Sequence, residues 1–531
     1  MLTRLKDLAL NRPFAFLSGL ALVVFGIHAV TLVDYPPCWF DEIEIIEMGR
    51  FSLFDVHPDW SVNLIPSSAA APRVPQPYFH YLFAAIQEAL YRLTGSFVAG
   101  RLLALASLPV CALLLGKWLA TKGFGTLTLL ATSVLFLLDP NATICAHWYR
   151  PDLWTLSIAL AAMILLSISR TGEPLPRRFA CLVAGALSCT MLFVWITSML
   201  LLPLIAWEAV ASVRRFDGEP LRDSIRRGLV DAAMFAAGGL LATAIWLLPL
   251  YPHIPAIIRQ YVEFSELGGS GDSAGIVQRI IDFIKIALRS PCIWTFAGLG
   301  LALAVRKRTI HILIFLGLCL LMLKTRVYHL RMIQLLPFLF LFAAEAIDWA
   351  LRLKGKILSR GTNALLILAV ASYFSLSVLA LNFAALPSGN TFAAMTERLG
   401  KALAIPNPNV YLYDMEHELY YSGRALGWRM FSYADRATIF DPSRSGNLLD
   451  QLDAVVITAV AKRPPTEADL ALLRQKGFTK VTTIELPKGK HSRIKELLAS
   501  LFYAHGYPNC TIYSHPRNRH ASNLDINFSH K

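Results

Sequence analysis

Charge is scarce in this chain. Asp, Glu, Lys and Arg make up only 16% of its 531 residues, where a soluble domain carries about a quarter. Apolar side chains take their place, reaching 55% and raising the mean hydropathy to +0.50. A single globular core stops growing near about 250–300 residues, so this excess cannot be buried in one soluble fold. An ordinary soluble enzyme, a disordered chain, a collagen-like fibre and a small disulfide scaffold are therefore excluded. The sequence also lacks any CxxC pair, Cys/His ligand spacing, internal repeat or low-complexity tract. Most of its eight cysteines, such as Cys111, Cys181, Cys189 and Cys319, sit in apolar runs and read as small core residues. Cys38 and Cys510 are candidates for an oxidising compartment, with no basis in sequence for pairing them. One short cluster apart, no basic run with interleaved aromatics lies outside the loops, so the net charge of +14 does not point to nucleic acid.

What the chain has instead is a series of apolar runs near spanning length: 13–33, 98–120, 123–138, 151–169, 179–195, 197–213, 228–250, 287–305, 309–323, 331–350 and 362–385. A helical span needs about 20 apolar residues. Outer-membrane barrel strands alternate apolar and polar instead. The expected fold class is therefore an α-helical polytopic membrane protein with about eleven spans. The first run follows Arg4, Lys6 and Arg12 and has no small-x-small site before Asp34, so it reads as an uncleaved span rather than a signal peptide.

Basic residues set the orientation. With the N-terminus inside, the inner loops carry Lys117 and Lys122, then Arg170, Arg177 and Arg178, then Arg214, Arg215, Arg222, Arg226 and Arg227. Arg306, Lys307 and Arg308 follow, and then Arg352, Lys354, Lys356 and Arg360. All but one of the short basic clusters fall on one side, as the positive-inside rule requires. This holds only if 77–94 does not cross. Its His80, Gln87, Glu88 and Arg92 suit a helix lying at the interface. The resulting organisation is a transmembrane domain over 1–385, with a long outer loop at 34–97 that contains interface helices. An outer-face soluble domain occupies 386–515, and a polar tail 516–531. In the soluble part, 409–413, 453–460 and 481–486 read as strands. A capping box at Thr466 and Asp469 opens a helix that stops at Gly477, and a further helix is expected over 492–503. Together these predict a small α/β domain.

Polar groups gather on the expected outer face. Asp41 and Glu42 follow the first span beside Trp39 and Phe40. A carboxylate held at headgroup depth by apolar neighbours has its pKa raised toward the range of a general base. The alternative is that Asp41, Glu42, Glu44 and Glu47 form the wet face of a short helix. Arg150 and Asp152 stand at the boundary of the fourth span, and an ionisable pair there marks a functional site by default. The competing reading is a snorkelling Arg with a local counter-charge. Lys324, Arg326, Tyr328, His329 and Arg331 form the cluster that breaks the positive-inside rule. Such groups suit a phosphate, bound specifically or as anionic lipid headgroups. Arg101 either joins them or snorkels. Asp139 is a candidate helix cap. Glu345 and Asp348, near an inner span end, are expected to pair with local basic residues. The 251–286 loop, with its GGSGDSAG stretch, reads as a flexible segment over a substrate.

In order and predicted side, these residues resemble the GT-C membrane glycosyltransferases, within them the protein O-mannosyltransferase and lipid A aminoarabinose-transferase branch. The motifs that carry the resemblance are Trp39-Phe40-Asp41-Glu42, then Pro75-Gln76-Pro77-Tyr78-Phe79-His80-Tyr81 with Leu93-Thr94-Gly95 and Arg101-Leu102, then Arg150-Pro151-Asp152, and finally Tyr328-His329-Leu330-Arg331 before Pro337. Gln76 departs from the family's second consecutive proline and bears on the branch, not the class. The resemblance covers about residues 1–385. It implies a polyprenyl-phosphate sugar as donor and a lipid, glycan or protein hydroxyl as acceptor, at the outer face of an inner membrane. In that picture Asp41 is the general base, and Glu42 or Asp152 orients the acceptor. Arg331, Arg326, His329, Lys324, Arg101 and Arg150 meet the donor phosphate, while Tyr78, His80 and Tyr328 line the substrate. Some relatives use a divalent metal at the acidic pair; the branch generally does not, so no metal or other cofactor is expected. Membrane lipids are expected partners and nucleic acid is not.

Two other classes compete. A lipid-linked saccharide flippase or other transporter also has many spans, but tends to show internal repeats and mid-membrane charges. Neither feature is visible here. An O-antigen ligase or polymerase would carry a large outer loop between late spans, and the loop at 324–331 is too short.

Overall fold

In the computed structural model the described residues are 11–33, 42, 80–148, 150–169, 174–212, 221–255, 257–258, 275–324, 331–353, 356–385, 391–413, 419–431, 440, 448–459, 464–485, 507 and 509–515. The chain divides into two compact units. One comprises Met1–Val30 and Tyr78–Asn382, the other Thr31–Pro77 and Phe383–Lys531.

The first unit is helical. Its elements are α1 (Pro13–Thr31), α2 (Leu82–Thr94), α3 (Phe97–Thr121), α4 (Thr126–Leu137), α5 (Pro140–His147), α6 (Asp152–Ser169), α7 (Pro174–Val194), α8 (Leu202–Ser212), α9 (Leu221–Leu247), α10 (Ile276–Ala287), α11 (Pro291–Ala304), α12 (Thr309–Lys324), α13 (Leu336–Arg352) and α14 (Lys356–Tyr373). Short 3-10 turns at Ile196–Leu201 and Arg331–Leu335 lead into α8 and α13. Among the described residues seven helices are long and apolar enough to cross a membrane, or nine if each of two bent pairs is one span. Two shorter apolar helices, Ile196–Ala211 and Thr309–Lys324, occupy the remaining apolar runs. All eleven runs expected from sequence are thus helical, and the chain is an α-helical polytopic membrane protein. By contrast α2, with 13 residues, reaches about 20 Å and is too short for a hydrocarbon core of about 30 Å. It buries Gln87 and Glu88 while Leu93 is exposed.

Two spans break, and each break is satisfied by the protein. Helices α4 and α5 meet at 49°, and α10 and α11 at 106°. A broken helix in lipid frees backbone groups that water cannot reach, so side chains must take them. Asp139 caps α5 by accepting from the Ala142 amide at 3.0 Å, as anticipated. Ser377, in the π-helical turn Phe374–Ala380 that follows α14, donates to the Leu138 carbonyl at 2.7 Å. Asn141 donates to the Ser290 hydroxyl at 2.8 Å, tying one break to the other. The Ile293 amide donates to the Tyr373 hydroxyl at 3.0 Å. The Glu345 and Asp348 expectation also holds, with Arg308 2.9 Å from Glu345 and Arg352 2.7 Å from Asp348.

The second unit holds a five-stranded sheet of order β2-β1-β3-β5-β4, with β1 (Asn409–Leu412), β2 (Arg429–Phe431), β3 (Ala454–Thr458), β4 (Thr479–Ile484) and β5 (Cys510–Ser514). The pairs β1–β2 and β1–β3 are parallel, while β5 runs antiparallel to both β3 and β4. Side chains alternate across the sheet. Val410, Leu412, Ala454 and Val456 join one core with Met395 and Leu399 of α15 (Phe392–Ala402). Tyr411, Tyr413, Val455 and Ile457 join the other with Leu473 of α16 (Glu467–Gln475). The Thr466–Asp469 capping box forms with both of its bonds, and Gly477 ends the helix at φ +86°. Strands β2 and β5 were not anticipated, and β4 begins two residues before the expected 481. The helix expected over 492–503 lies outside the described residues.

Close backbone approach fixes the packing of α7 on α9. A Cβ on Gly185 would sit 1.9 Å from the Phe235 carbonyl oxygen, and one on Gly238 would sit 1.8 Å from that of Leu182. Small residues at such crossings let helices pack where hydrophobic driving force is absent. Gly238→Leu is expected to cost about 3 kcal/mol or more, read as a lower melting temperature and loss of a monodisperse peak in detergent. Gly26→Leu, with open space around it, should leave both unchanged.

Candidate functional site

Polar groups converge where the ends of α2, α3, α5 and α6 meet the two 3-10 turns. The local sequence places each of them. Gly95, at φ +67°, ends α2 by donating its amide to the Tyr91 carbonyl at 2.7 Å. Ser96 then caps α3 by accepting from the Val98 amide at 3.2 Å. This Gly-Ser hinge sets Arg101 in the first turns of α3, where it is buried and its guanidinium lies 5.2 Å from the Phe97 ring. Pro151 ends the loop after α5 and admits Asp152 as the first residue of α6.

Arg150 and Asp152 form an ion pair of 2.7 Å, with both side chains more than nine-tenths buried. The snorkelling reading therefore does not describe Arg150. Its guanidinium packs over the Trp195 ring at 5.1 Å, and the His80 ring meets the same indole edge-on at 4.8 Å. Three residues expected at the site, His80, Arg150 and Asp152, are thus assembled around Trp195, which sequence reasoning did not single out. Arg101 is also buried rather than snorkelling. His147 donates through Nδ1 to the Thr143 carbonyl at 2.8 Å and stacks edge-on with His28 at 4.7 Å.

Gln334 was missed as well. It is fully buried in the turn before α13, and that turn packs against α5, α6 and the Ile196–Leu201 turn. Among the described residues neither its amide nitrogen nor its oxygen has a hydrogen-bond partner, and the same is true of the Trp195 indole nitrogen. An unspent buried polar group costs about 1–3 kcal/mol and calls for an explanation; a polar ligand supplies one. The available signal was a lone amide in an apolar run entering a span.

The other expected residues divide as follows. Lys324 is exposed at the end of α12, where Arg279 of α10 donates to the carbonyls of Leu323 and Lys324. Arg331 opens the second 3-10 turn. Glu42 belongs to the second unit, is fully buried, and accepts from the Tyr421 hydroxyl at 3.2 Å. Asp41, Tyr78, Arg326, Tyr328 and His329 lie outside the described residues. Among the described residues no group of three or more His, Cys, Asp or Glu is placed to share a metal ion.

No protein-family model matches the chain, and no curated protein matches it. Among solved structures it is similar to the crystal structure of the Archaeoglobus fulgidus oligosaccharyltransferase in complex with zinc and sulfate. The TM-score is 0.45 and the identity 12%, over 82% of this chain and 68% of that one. At this level no residue role is transferred.

Two outcomes follow. Removing either member of a buried ion pair leaves an uncompensated charge, so Arg150→Ala and Asp152→Ala are each expected to destabilise by about 3–5 kcal/mol. The Arg150→Leu/Asp152→Leu double variant should lose less than the sum in thermal melts. His80 is neutral at physiological pH, because burial lowers its pKa to about 3. The unfolded chain takes up a proton near pH 6.5 and the folded one does not. Stability from this group is therefore full above pH 6.5 and is lost as pH falls toward 3. Between pH 7 and pH 5 wild type should lose about 2 kcal/mol that His80→Gln retains.

Proposed function

We propose that this protein is a GT-C-type inverting glycosyltransferase. It moves a sugar from a polyprenyl-phosphate donor to an acceptor hydroxyl of an envelope glycolipid, glycan or protein on the outer face of the inner membrane. The observation that carries the reading is the buried Arg150–Asp152 pair, held with His80 around Trp195 at one end of an apolar bundle. Desolvated charge of both signs at a span end is what glycosyl transfer from a lipid phosphate needs: cations for the leaving phosphate and carboxylates for the acceptor.

In this mechanism the acceptor oxygen attacks the anomeric carbon as the bond to the donor phosphate oxygen breaks, inverting that centre. Asp41 takes the hydroxyl proton. Asp152 orients the acceptor. Glu42 spends an oxygen on Tyr421, which favours a supporting role for it beside Asp41. The negative charge gained by the leaving phosphate is met by Arg150, Arg101, Arg331, Arg326, His329 and Lys324. Tyr78, Tyr328 and His80 line the substrate, with His80 as a neutral ring. The proposal includes no metal. The basic loops support a cytoplasmic N-terminus.

The test is mass spectrometry of envelope glycolipids, glycans and glycoproteins from cells lacking the gene, complemented with wild type or Asp41→Asn. One species should lose a single sugar mass that only wild type restores. Full restoration by Asp41→Asn at equal membrane abundance would remove Asp41 as the base. An unchanged glycan profile, with lipid-linked precursors accumulating on the inner leaflet, would replace the transferase with a transporter.

A further inference from the structure

A second charged assembly lies at the far end of the same bundle. Helix α3 carries Arg101 near its start, and Lys122 follows its last turn. The 21 intervening steps amount to about 31 Å at 1.5 Å per residue, the depth of a bilayer core. The two groups therefore face opposite sides of the membrane. At the Lys122 end a cavity of about 430 Å³ opens between α3, α8 and the α11–α12 connection. Its floor is built from buried charge. Glu208 of α8 is fully buried and accepts from the Lys122 ammonium, and His311 Nε2 lies 3.6 Å from the same carboxylate oxygen.

The wall is the Arg306-Lys307-Arg308 run, which lines the same cavity. Arg308 is held by Glu345 at 2.9 Å. Arg306 and Lys307 are exposed, and among the described residues neither has a carboxylate partner. Loop cations that serve only to hold topology need no cavity. Here they line a cavity at whose base Lys122 is already paired with Glu208, and among the described residues Arg306 and Lys307 have no such pairing. Ile310 lines the cavity, and nearby Val210 and Val305 are exposed and apolar. The rim is therefore suited to acyl chains, which free phosphate does not have.

We propose that this cavity is an anion site for the phosphate headgroup of an anionic membrane phospholipid at the inner face. The phosphate is bound by Arg306 and Lys307 over the Lys122–Glu208–His311 floor, separate from the site around Arg150. Basic pockets between helices on that side are suited to lipid phosphates. Binding here docks the α11–α12 connection onto α3 and α8, and so couples the membrane's anionic lipid content to the packing of the inner end.

The experiment uses the full chain, delipidated in neutral detergent and titrated with phosphatidylglycerol or phosphatidylcholine, with bound lipid counted by native mass spectrometry. Wild type is expected to retain phosphatidylglycerol over phosphatidylcholine. Arg306→Gln/Lys307→Gln should weaken that retention by about 30-fold, and the charge-keeping Arg306→Lys/Lys307→Arg should restore most of it. Both double variants change exposed side chains, and an unchanged melting temperature without lipid verifies their fold. Inorganic phosphate is added as a competitor. Failure to displace the lipid at millimolar concentration supports the lipid as occupant. Full displacement overturns the lipid as occupant and leaves a site for the free anion. Equal retention of phosphatidylglycerol by wild type and the glutamine variant overturns the proposal. None of these readouts depends on glycosyl transfer.

Discussion

A charge surrounded by apolar helices persists only if another charge is placed beside it, and that requirement organises this molecule. Isolated, such a group carries a desolvation penalty of several kcal/mol. The chain places its buried ions near span ends and pairs them: Arg150 with Asp152, Lys122 with Glu208, Arg308 with Glu345, Arg177 with Asp231. Three of these pairs also join elements that sequence alone leaves apart. Arg177–Asp231 ties α7 to α9, the helices whose glycines let their backbones touch. Lys122–Glu208 ties the end of α3 to α8.

The same economy governs the backbone. Where spans break, at Leu138–Asp139 and near Ser290, the released backbone groups are taken by Ser377, Asn141, which donates to the Ile286 carbonyl, Tyr373 and the Asp139 cap. The α4–α5 break gives α5 a separate direction. That direction carries His147 and the Arg150–Asp152 loop to the elements that hold Arg101, His80 and Trp195. The candidate site thus depends on a discontinuous span, as polar sites inside membrane proteins commonly do.

The architecture was legible because its signals are local. Eleven apolar runs, the short amphipathic helix after His80, the Asp139 cap and the Thr466–Asp469 capping box each follow from neighbouring residues, and each is present among the described residues. What sequence did not reveal depends on partners far along the chain. Trp195 reads as one more aromatic in an apolar run until Arg150 and His80 are seen against it. Gln334 reads as a tolerated polar residue until both ends of its amide are found without partners among the described residues. Strand β5 consists of five residues, Cys510–Ser514, whose place between β3 and β4 is decided by pairing rather than by pattern. Arg101 and Arg150 were open between snorkelling and burial because sequence does not record depth; both are buried.

The central claim is that the Arg150 end of the bundle binds a lipid-linked phosphate. The most direct measurement is the affinity of purified protein in nanodiscs for a polyprenyl phosphate, the product that the proposed transfer would release. Wild type is compared with Arg150→Gln/Asp152→Asn, which removes both charges together and leaves no lone buried ion. Saturable binding to wild type, weakened about 10- to 100-fold in the double variant at matched melting temperature, is the result predicted here. Equal affinity in the two proteins would contradict it and move the phosphate away from Arg150.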